Sequence, residues 1–260
     1  QYEKTLPLIS NFYSDLGANK DLYQAFKRVS QTELSVQQQH IVNDSLRSFE
    51  LSGVALDGAK SERFKEIKEQ LSVHSNQFSK NVLQSTNSWK KTVSANDLKG
   101  YGADEFSKVK KGDHYEISLQ VPVYIDLMTY ADSSDLREEV YKAYISRASD
   151  IGITSKEFNN RPIMDEILKL RSEMSELVGF SNYAEYSTQS KMVESPDAVI
   201  EFLNSLIELS IQQAKAELID LESFAGHSLM PWDLMYYSEK LKQKTFSFKS
   251  SDFKPFFPES

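Results

Sequence analysis

Cysteine is absent from all 260 residues, which excludes disulfides, thiolate metal sites and thiol catalysis. Glycine and proline are scarce, at nine and seven residues, too few for the turns of a sandwich or barrel. No apolar run approaches the length of a membrane span, and no stretch reads as a signal peptide. Positive charge is also in deficit. Thirty Lys and Arg against 38 Asp and Glu give a net charge of −8. That argues against a nucleic-acid partner, which needs a basic surface to displace phosphate counterions. The four histidines, His40, His74, His114 and His227, stand too far apart in sequence to share a helix turn. No Glu-x-x-His pair exists for a di-iron bundle site, and there is no Gly-x-Ser-x-Gly elbow or Walker loop. Gly100-Tyr101-Gly102 is not a dinucleotide loop, because Glu105 stands where the third glycine would be and no strand precedes it. With 38 acidic residues, some carboxylates always fall at helical spacing, so such pairs carry no information.

What is present is helical periodicity. Hydrophobic residues make up 40% of the chain, enough for a packed core. Ser35-Val36-Gln37-Gln38 fits a capping box opening a helix with Val42, Leu46 and Phe49 on one face, which Gly53 can end. Phe64, Ile67, Leu71, His74, Phe78, Val82 and Trp89 recur at three- and four-residue steps and predict one long helix. His74 lies on that stripe without an acidic or histidine partner, so it reads as a core or boundary histidine rather than a ligand or base. Residues 94–114 break the pattern, and Lys108, Lys110 and Lys111 read as a solvated loop tip. Tyr115, Ile117, Leu119 and Val121 then alternate with polar residues, which predicts a strand, with Pro122 placing it at an edge or strand end. Leu136, Val140, Tyr144 and Ala148 form another helical stripe, and Ile163, Ile167, Leu170, Met174 and Leu177 a further one ending at Gly179. Ser195-Pro196 starts a third helix predicted to run to Gly226. The fold class is therefore mostly α, a multi-helix, bundle-like arrangement with one small β arm. The segments are 1–93 (N-terminal helical part), 94–130 (loop and β arm) and 131–260 (second helical part).

Several runs carry a resemblance. Pro231-Trp232-Asp233-Leu234-Met235-Tyr236-Tyr237 precedes a basic helix (Lys240, Lys242, Lys244) and Lys254-Pro255-Phe256-Phe257-Pro258. Arg137-Glu138-Glu139-Val140-Tyr141-Lys142-Ala143-Tyr144 leads to Arg147-Ala148. Asn159-Asn160, Ile167 to Arg171, Leu177-Val178-Gly179-Phe180, Tyr183-Ala184-Glu185-Tyr186, Lys191-Met192 and Ser195-Pro196 follow in order. These runs resemble the thimet oligopeptidase and oligopeptidase A family of zinc metallopeptidases. The likeness is looser before Arg137, though Phe49-Glu50-Leu51-Ser52-Gly53 keeps register. Ser175 and Val193 depart from it where alanine is common. The resemblance implies an enzyme of two helical lobes around a channel admitting short peptides, with zinc on a His-Glu-x-x-His helix. That motif is missing here. The expectation is an internal, non-catalytic segment supplying scaffold and channel wall, inactive alone and binding no zinc. Its partners would be short peptides in the parent enzyme and the missing catalytic lobe, with no nucleic acid and no membrane, in the cytoplasm. The alternative is a complete helical interaction module with a tyrosine-rich binding surface.

No catalytic or metal-ligating residue is assigned, and the substrate-binding residues stay open. Arg137, Arg147 and Arg171 could clamp a substrate carboxylate, but pairing with acids on neighbouring helices is the favoured reading. Asp233 could orient a catalytic group, although Pro231-Trp232-Asp233 reads better as a helix start with an acid at the positive dipole end. Tyr236 and Tyr237 could line a channel or sit in the core. Gln1-Tyr2-Glu3-Lys4 and Pro258-Glu259-Ser260 read as cut ends, unless tags or disordered ends were removed. A cut chain should expose apolar surface near a terminus, with Phe253, Phe256 and Phe257 the leading candidates.

Overall fold

The computed structural model describes residues 2–152, 156–247 and 256. In chain order it runs α1 (Tyr2–Gly17), α2 (Lys20–Val29), α3 (Val36–Leu51), α4 (Gly58–Ser88), β1 (Lys90–Val93), α5 (Ala103–Val109), β2 (Lys110–Lys111) and β3 (His114–Ser118). Then follow α6 (Val121–Tyr130), α7 (Ser134–Ile145), α8 (Arg161–Leu177), α9 (Tyr183–Thr188), α10 (Pro196–Ala225) and α11 (Leu234–Phe246). The protein is mostly α with one small antiparallel sheet, as the periodicity implies.

Helix starts follow local side-chain chemistry. The Ser35 hydroxyl accepts from the Gln38 N–H while the Gln38 amide oxygen accepts from the Ser35 N–H, completing the capping box of α3. Ser133 and Asn182 cap α7 and α9, and the Ser195 hydroxyl accepts from the Ala198 N–H at the start of α10. Gly53, just beyond α3, takes φ +79, a conformation that glycine adopts without a Cβ clash. Helices α8 and α10 end shortly before Gly179 and Gly226, as expected.

The strand reading needs correction. β3 stops at Ser118, and Pro122 instead sits in the first turn of α6, where its missing N–H leaves no helical bond unmade. Nor is β3 an edge: the strand order is β1-β3-β2, both pairings antiparallel. β1, with Lys90 opposite Ser118 and Val93 opposite Tyr115, went unforeseen because four residues reading Lys-Lys-Thr-Val carry too little alternation. Lys110 and Lys111 form β2 and stay exposed.

The chain divides into two compact units. One comprises Gln1–Ser79 with Arg161–Leu206, and the other Lys80–Asn160 with Ile207–Ser260, so α4 and α10 contribute to both. In the first, Phe64 and Ile67 of α4 pack with Leu170 and Met174 of α8, and Tyr23, Phe49 and Val54 form a second cluster. In the second, Leu98, Val109, Ile117, Leu119, Leu127, Val140 and Ala143 make a continuous core. Full burial of each large aliphatic side chain there contributes about 1.5–3 kcal/mol. Arg63 of α4 meets Glu173 of α8 through two parallel bonds, Nε to Oε1 at 2.6 Å and Nη2 to Oε2 at 2.7 Å. In the second unit Ala148, at φ +52, donates its N–H to the buried Ser85 hydroxyl, and its carbonyl accepts from the Asn160 N–H.

Candidate functional site

Arg137 enters on the second turn of α7, whose apolar stripe of Leu136, Val140 and Ala143 faces the core, so its guanidinium is carried inward. Its side chain is 2% exposed, and every nitrogen of the fork is satisfied. Nη1 donates to the Ala131 and Asp132 carbonyls at 2.6 and 3.2 Å, and Nε to the Trp232 carbonyl at 3.2 Å. Nη2 donates to Asp233 Oδ1 at 2.6 Å. The planar fork with five donors makes this arrangement possible, where an ammonium could not reach so many fixed acceptors.

Asp233 stands at the N-cap of α11, so the reading of a helix start was right. Its carboxylate makes no bond to the helix's own first-turn amides, however. Oδ1 also accepts from the Ser134 hydroxyl, and Oδ2 from the Met230 N–H. Burial pushes the Asp233 carboxyl up, but the bonds from Arg137, Met230 and Ser134 outweigh it and hold the group below the usual carboxylate range. The Tyr236 ring lies under the Arg137 guanidinium at 4.1 Å, and its hydroxyl donates to Asp132 Oδ1 at 2.8 Å. Burial and that bond push the Tyr236 hydroxyl up to about 12. Lys240 also reaches Asp132, at 3.3 Å. Gly100 is held against the same turn: at φ +97, a Cβ there would sit 1.9 Å from the Tyr130 carbonyl oxygen.

The structure thus brings Arg137, Asp233 and Tyr236 together, with the Tyr237 ring edge-on to Tyr236 at 5.1 Å, and leaves Arg147 and Arg171 apart from that cluster. The Tyr237 hydroxyl shares a 3.0 Å hydrogen bond with His227 Nε2. Arg147 stacks on the Tyr144 ring at 3.5 Å, and Tyr144 in turn stacks on Tyr124 at 3.7 Å. Its Nε is buried with no hydrogen-bond partner among the described residues. Arg171 belongs to the first unit and rests on the Tyr183 ring at 4.8 Å. Among the described residues the interhelical ion-pair reading therefore holds for Arg137 and not for Arg147 or Arg171. His74 is half-buried on α4. Asp132 and His227 were missed, since Asp132 is a lone acid in a turn and the partner of His227 lies ten residues away.

As chemistry, the Arg137–Asp233 cluster is a tie rather than a reactive centre. The carboxylate is ionised, paired and buried, and four of the guanidinium's five N–H donors are engaged. Among the described residues no three His, Asp or Glu side chains converge to hold a metal ion, so these residues do not fit a zinc centre.

Comparison with known proteins matches residues 127–260 to the family described as Peptidase family M3. That stretch is more than half of the chain and contains the whole Arg137–Asp233 cluster. The chain belongs to peptidase family M3. Residues 1–63 further match the Neurolysin/Thimet oligopeptidase N-terminal domain. Over 275 aligned residues the chain is 39% identical to Oligopeptidase A of Salmonella typhimurium and of Escherichia coli, covering 100% of this chain and 40% of each relative. Probable cytosolic oligopeptidase A of Arabidopsis thaliana is 34% identical over 98% of this chain and 39% of its own length. The chain thus spans about 40% of the length of the bacterial M3 relatives it matches. Among the described residues no helix is long and apolar enough to cross a membrane.

Proposed function

We propose that this chain is a helical part of an M3 oligopeptidase that hydrolyses short peptides, serving as scaffold and substrate-channel wall. The zinc centre would come from a segment beyond these residues. The observation that carries this reading is α10. All twenty residues from 201 to 220 are exposed, among them Phe202, Leu203, Leu206, Ile207, Leu209, Ile211, Leu218 and Ile219. Around the helix, residues 199–211 put their apolar side chains on more than half of the circumference, with Glu201, Asn204, Ser205 and Glu208 on the rest. Such a helix belongs inside a larger protein, and contiguous apolar surface of this kind marks a contact waiting for cover. A catalytic lobe is the partner that fits, given relatives of about 2.5 times the length. The N-terminal helix α1 adds exposed Leu8, Ile9, Phe12 and Tyr13. Of the expected C-terminal cluster, Phe256 is exposed, while Phe253 and Phe257 lie outside the described residues.

By the same family reading, the protein works on short peptides in the cytoplasm. The interaction-module alternative has less support, because Tyr124, Tyr144, Tyr183, Tyr186 and Tyr236 are half-buried and engaged with other rings, cations or hydrogen-bond partners of this chain. The test is to sequence the gene around this coding segment and assay the encoded protein on fluorogenic short peptides. A His-Glu-x-x-His helix in the same reading frame and cleavage abolished by chelator are expected. A reading frame without that motif, or a protein with it that leaves short peptides intact, overturns the proposal.

A further inference from the structure

The first unit contains a groove of about 350 Å³ between α4 and α8. Phe78 and Ser79 line one side, and Met164, Ile167 and Leu168 the other, with Arg171 among them. Met164 and Leu168 are exposed, so the groove opens outward. Its wall is apolar except for serine hydroxyls and one guanidinium, and among the described residues no acidic side chain lines it. The cation is unusual in its freedom. Arg63 and Arg137 each pair with a carboxylate. Arg171 instead leans on the Tyr183 ring, with no carboxylate or carbonyl partner among the described residues. A guanidinium held against an aromatic ring keeps its N–H edge available, and that edge matches a carboxylate in a two-bond fork.

We infer that this groove binds the C-terminal residue of a short peptide, its apolar side chain between Phe78, Met164 and Leu168 and its free carboxylate on Arg171. Charge selects this occupant. A peptide's amino terminus would require an acid, and an apolar interior residue brings no charge to satisfy the guanidinium. Size agrees, because the volume falls at the small end of ligand cavities and suits one residue rather than an extended peptide. The inference rests on the reading of the protein as peptide-hydrolysing only for the nature of the ligand.

The test titrates the full chain with acetyl-Ala-Ala-Leu as the free acid and as the C-terminal amide, following the Met164 methyl resonance by NMR. The free acid should shift that resonance and bind about tenfold or more tighter than the amide, the usual scale for one charge-assisted pair. Arg171→Gln should bring the two to within about twofold of each other. If that variant does not fold, the acid–amide comparison on the unaltered chain decides alone. Equal binding of acid and amide, no shift at Met164, or equally tight binding of an amidated peptide carrying an aspartate side chain each overturns the assignment. Chelator-sensitive cleavage by the encoded protein is measured separately. Cleavage with equal acid and amide binding would therefore sink the groove and leave the oligopeptidase reading standing.

Discussion

Two arginine–carboxylate pairs, one in each unit, have the same closest distance of 2.6 Å and opposite surroundings. Arg63–Glu173 is the better fork, with two parallel bonds, yet its side chains are 36% and 37% exposed. Arg137–Asp233 makes a single direct contact at 2% and 6% exposure, with carbonyls, a hydroxyl and an amide filling the remaining positions. Geometry alone would rank the first pair higher. Burial reverses the ranking, because water stands ready to replace either partner of the exposed pair but neither partner of the buried one. The desolvation cost was met when Arg137 and Asp233 folded together, so the pair matters most when only one member is removed.

The strongest way to break this contrast is Asp233→Ala. It leaves the Arg137 guanidinium buried without a counter-charge, and about 3–5 kcal/mol of unfolding free energy should be lost. Urea denaturation of the purified chain measures it. A loss below about 1 kcal/mol would show that the Ala131, Asp132 and Trp232 carbonyls hold the guanidinium unaided, and the two pairs would then be alike.

Acid sharpens the comparison. Burial pushes the Asp233 carboxyl up, and its hydrogen bonds more than reverse that. The bonds from Arg63 hold the Glu173 carboxyl low against a smaller opposing effect of burial. A carboxyl whose folded pKa is depressed contributes stability that is present above its unfolded pKa and lost as pH falls through the folded one. Stability should therefore be level at neutral pH and decline below about pH 4. Because Glu173 is screened by water, Asp233→Ala should flatten the acid limb more than Glu173→Gln does. The reverse order in denaturation midpoints between neutral and acid pH would contradict the burial argument.

Arg63→Ala should cost little. The pair is exposed, and the midpoint of thermal unfolding should fall by about 3 °C at most, with the difference shrinking further in added salt. A larger, salt-insensitive loss would place this pair beside the buried one. The smallest stability effect is expected on α10, where Leu209 is 81% exposed. Leu209→Glu should change unfolding free energy by no more than about 0.5 kcal/mol while lowering self-association and apolar-dye binding of the chain. Sedimentation and dye fluorescence check it. Strong destabilisation instead would mean that Leu209 is already covered within this chain.

Much of the local structure was legible in the residues. The capping box at Ser35, the long stripe from Phe64 to Val82 and the Ser195-Pro196 start of α10 each follow from interactions within a few residues. The sheet was half legible. Ile117 and Leu119 declared their buried face through alternation, whereas Pro122 misled because proline serves a helix's first turn as readily as a strand's end. The arginine candidates divided for a similar reason. Arg137, Arg147 and Arg171 look alike along the chain, each beside an apolar stripe, and no acid stands three or four residues from Arg137 or Arg171 to name a partner. Asp233 lies 96 residues from Arg137, and Tyr183 is not on the helix that carries Arg171.

The sequence by itself determined the helical class, the lack of a histidine pair at zinc-binding spacing and, through ordered motifs, membership of a peptidase family. Those properties are local or compositional, so a linear reading reaches them. Only the tertiary structure decided which arginine is spent on a buried carboxylate, which is left facing a groove, and that the apolar arc of α10 lies open. Each of those outcomes depends on which distant side chains share a volume with little or no water, and burial is a property of the packed chain rather than of any segment of it.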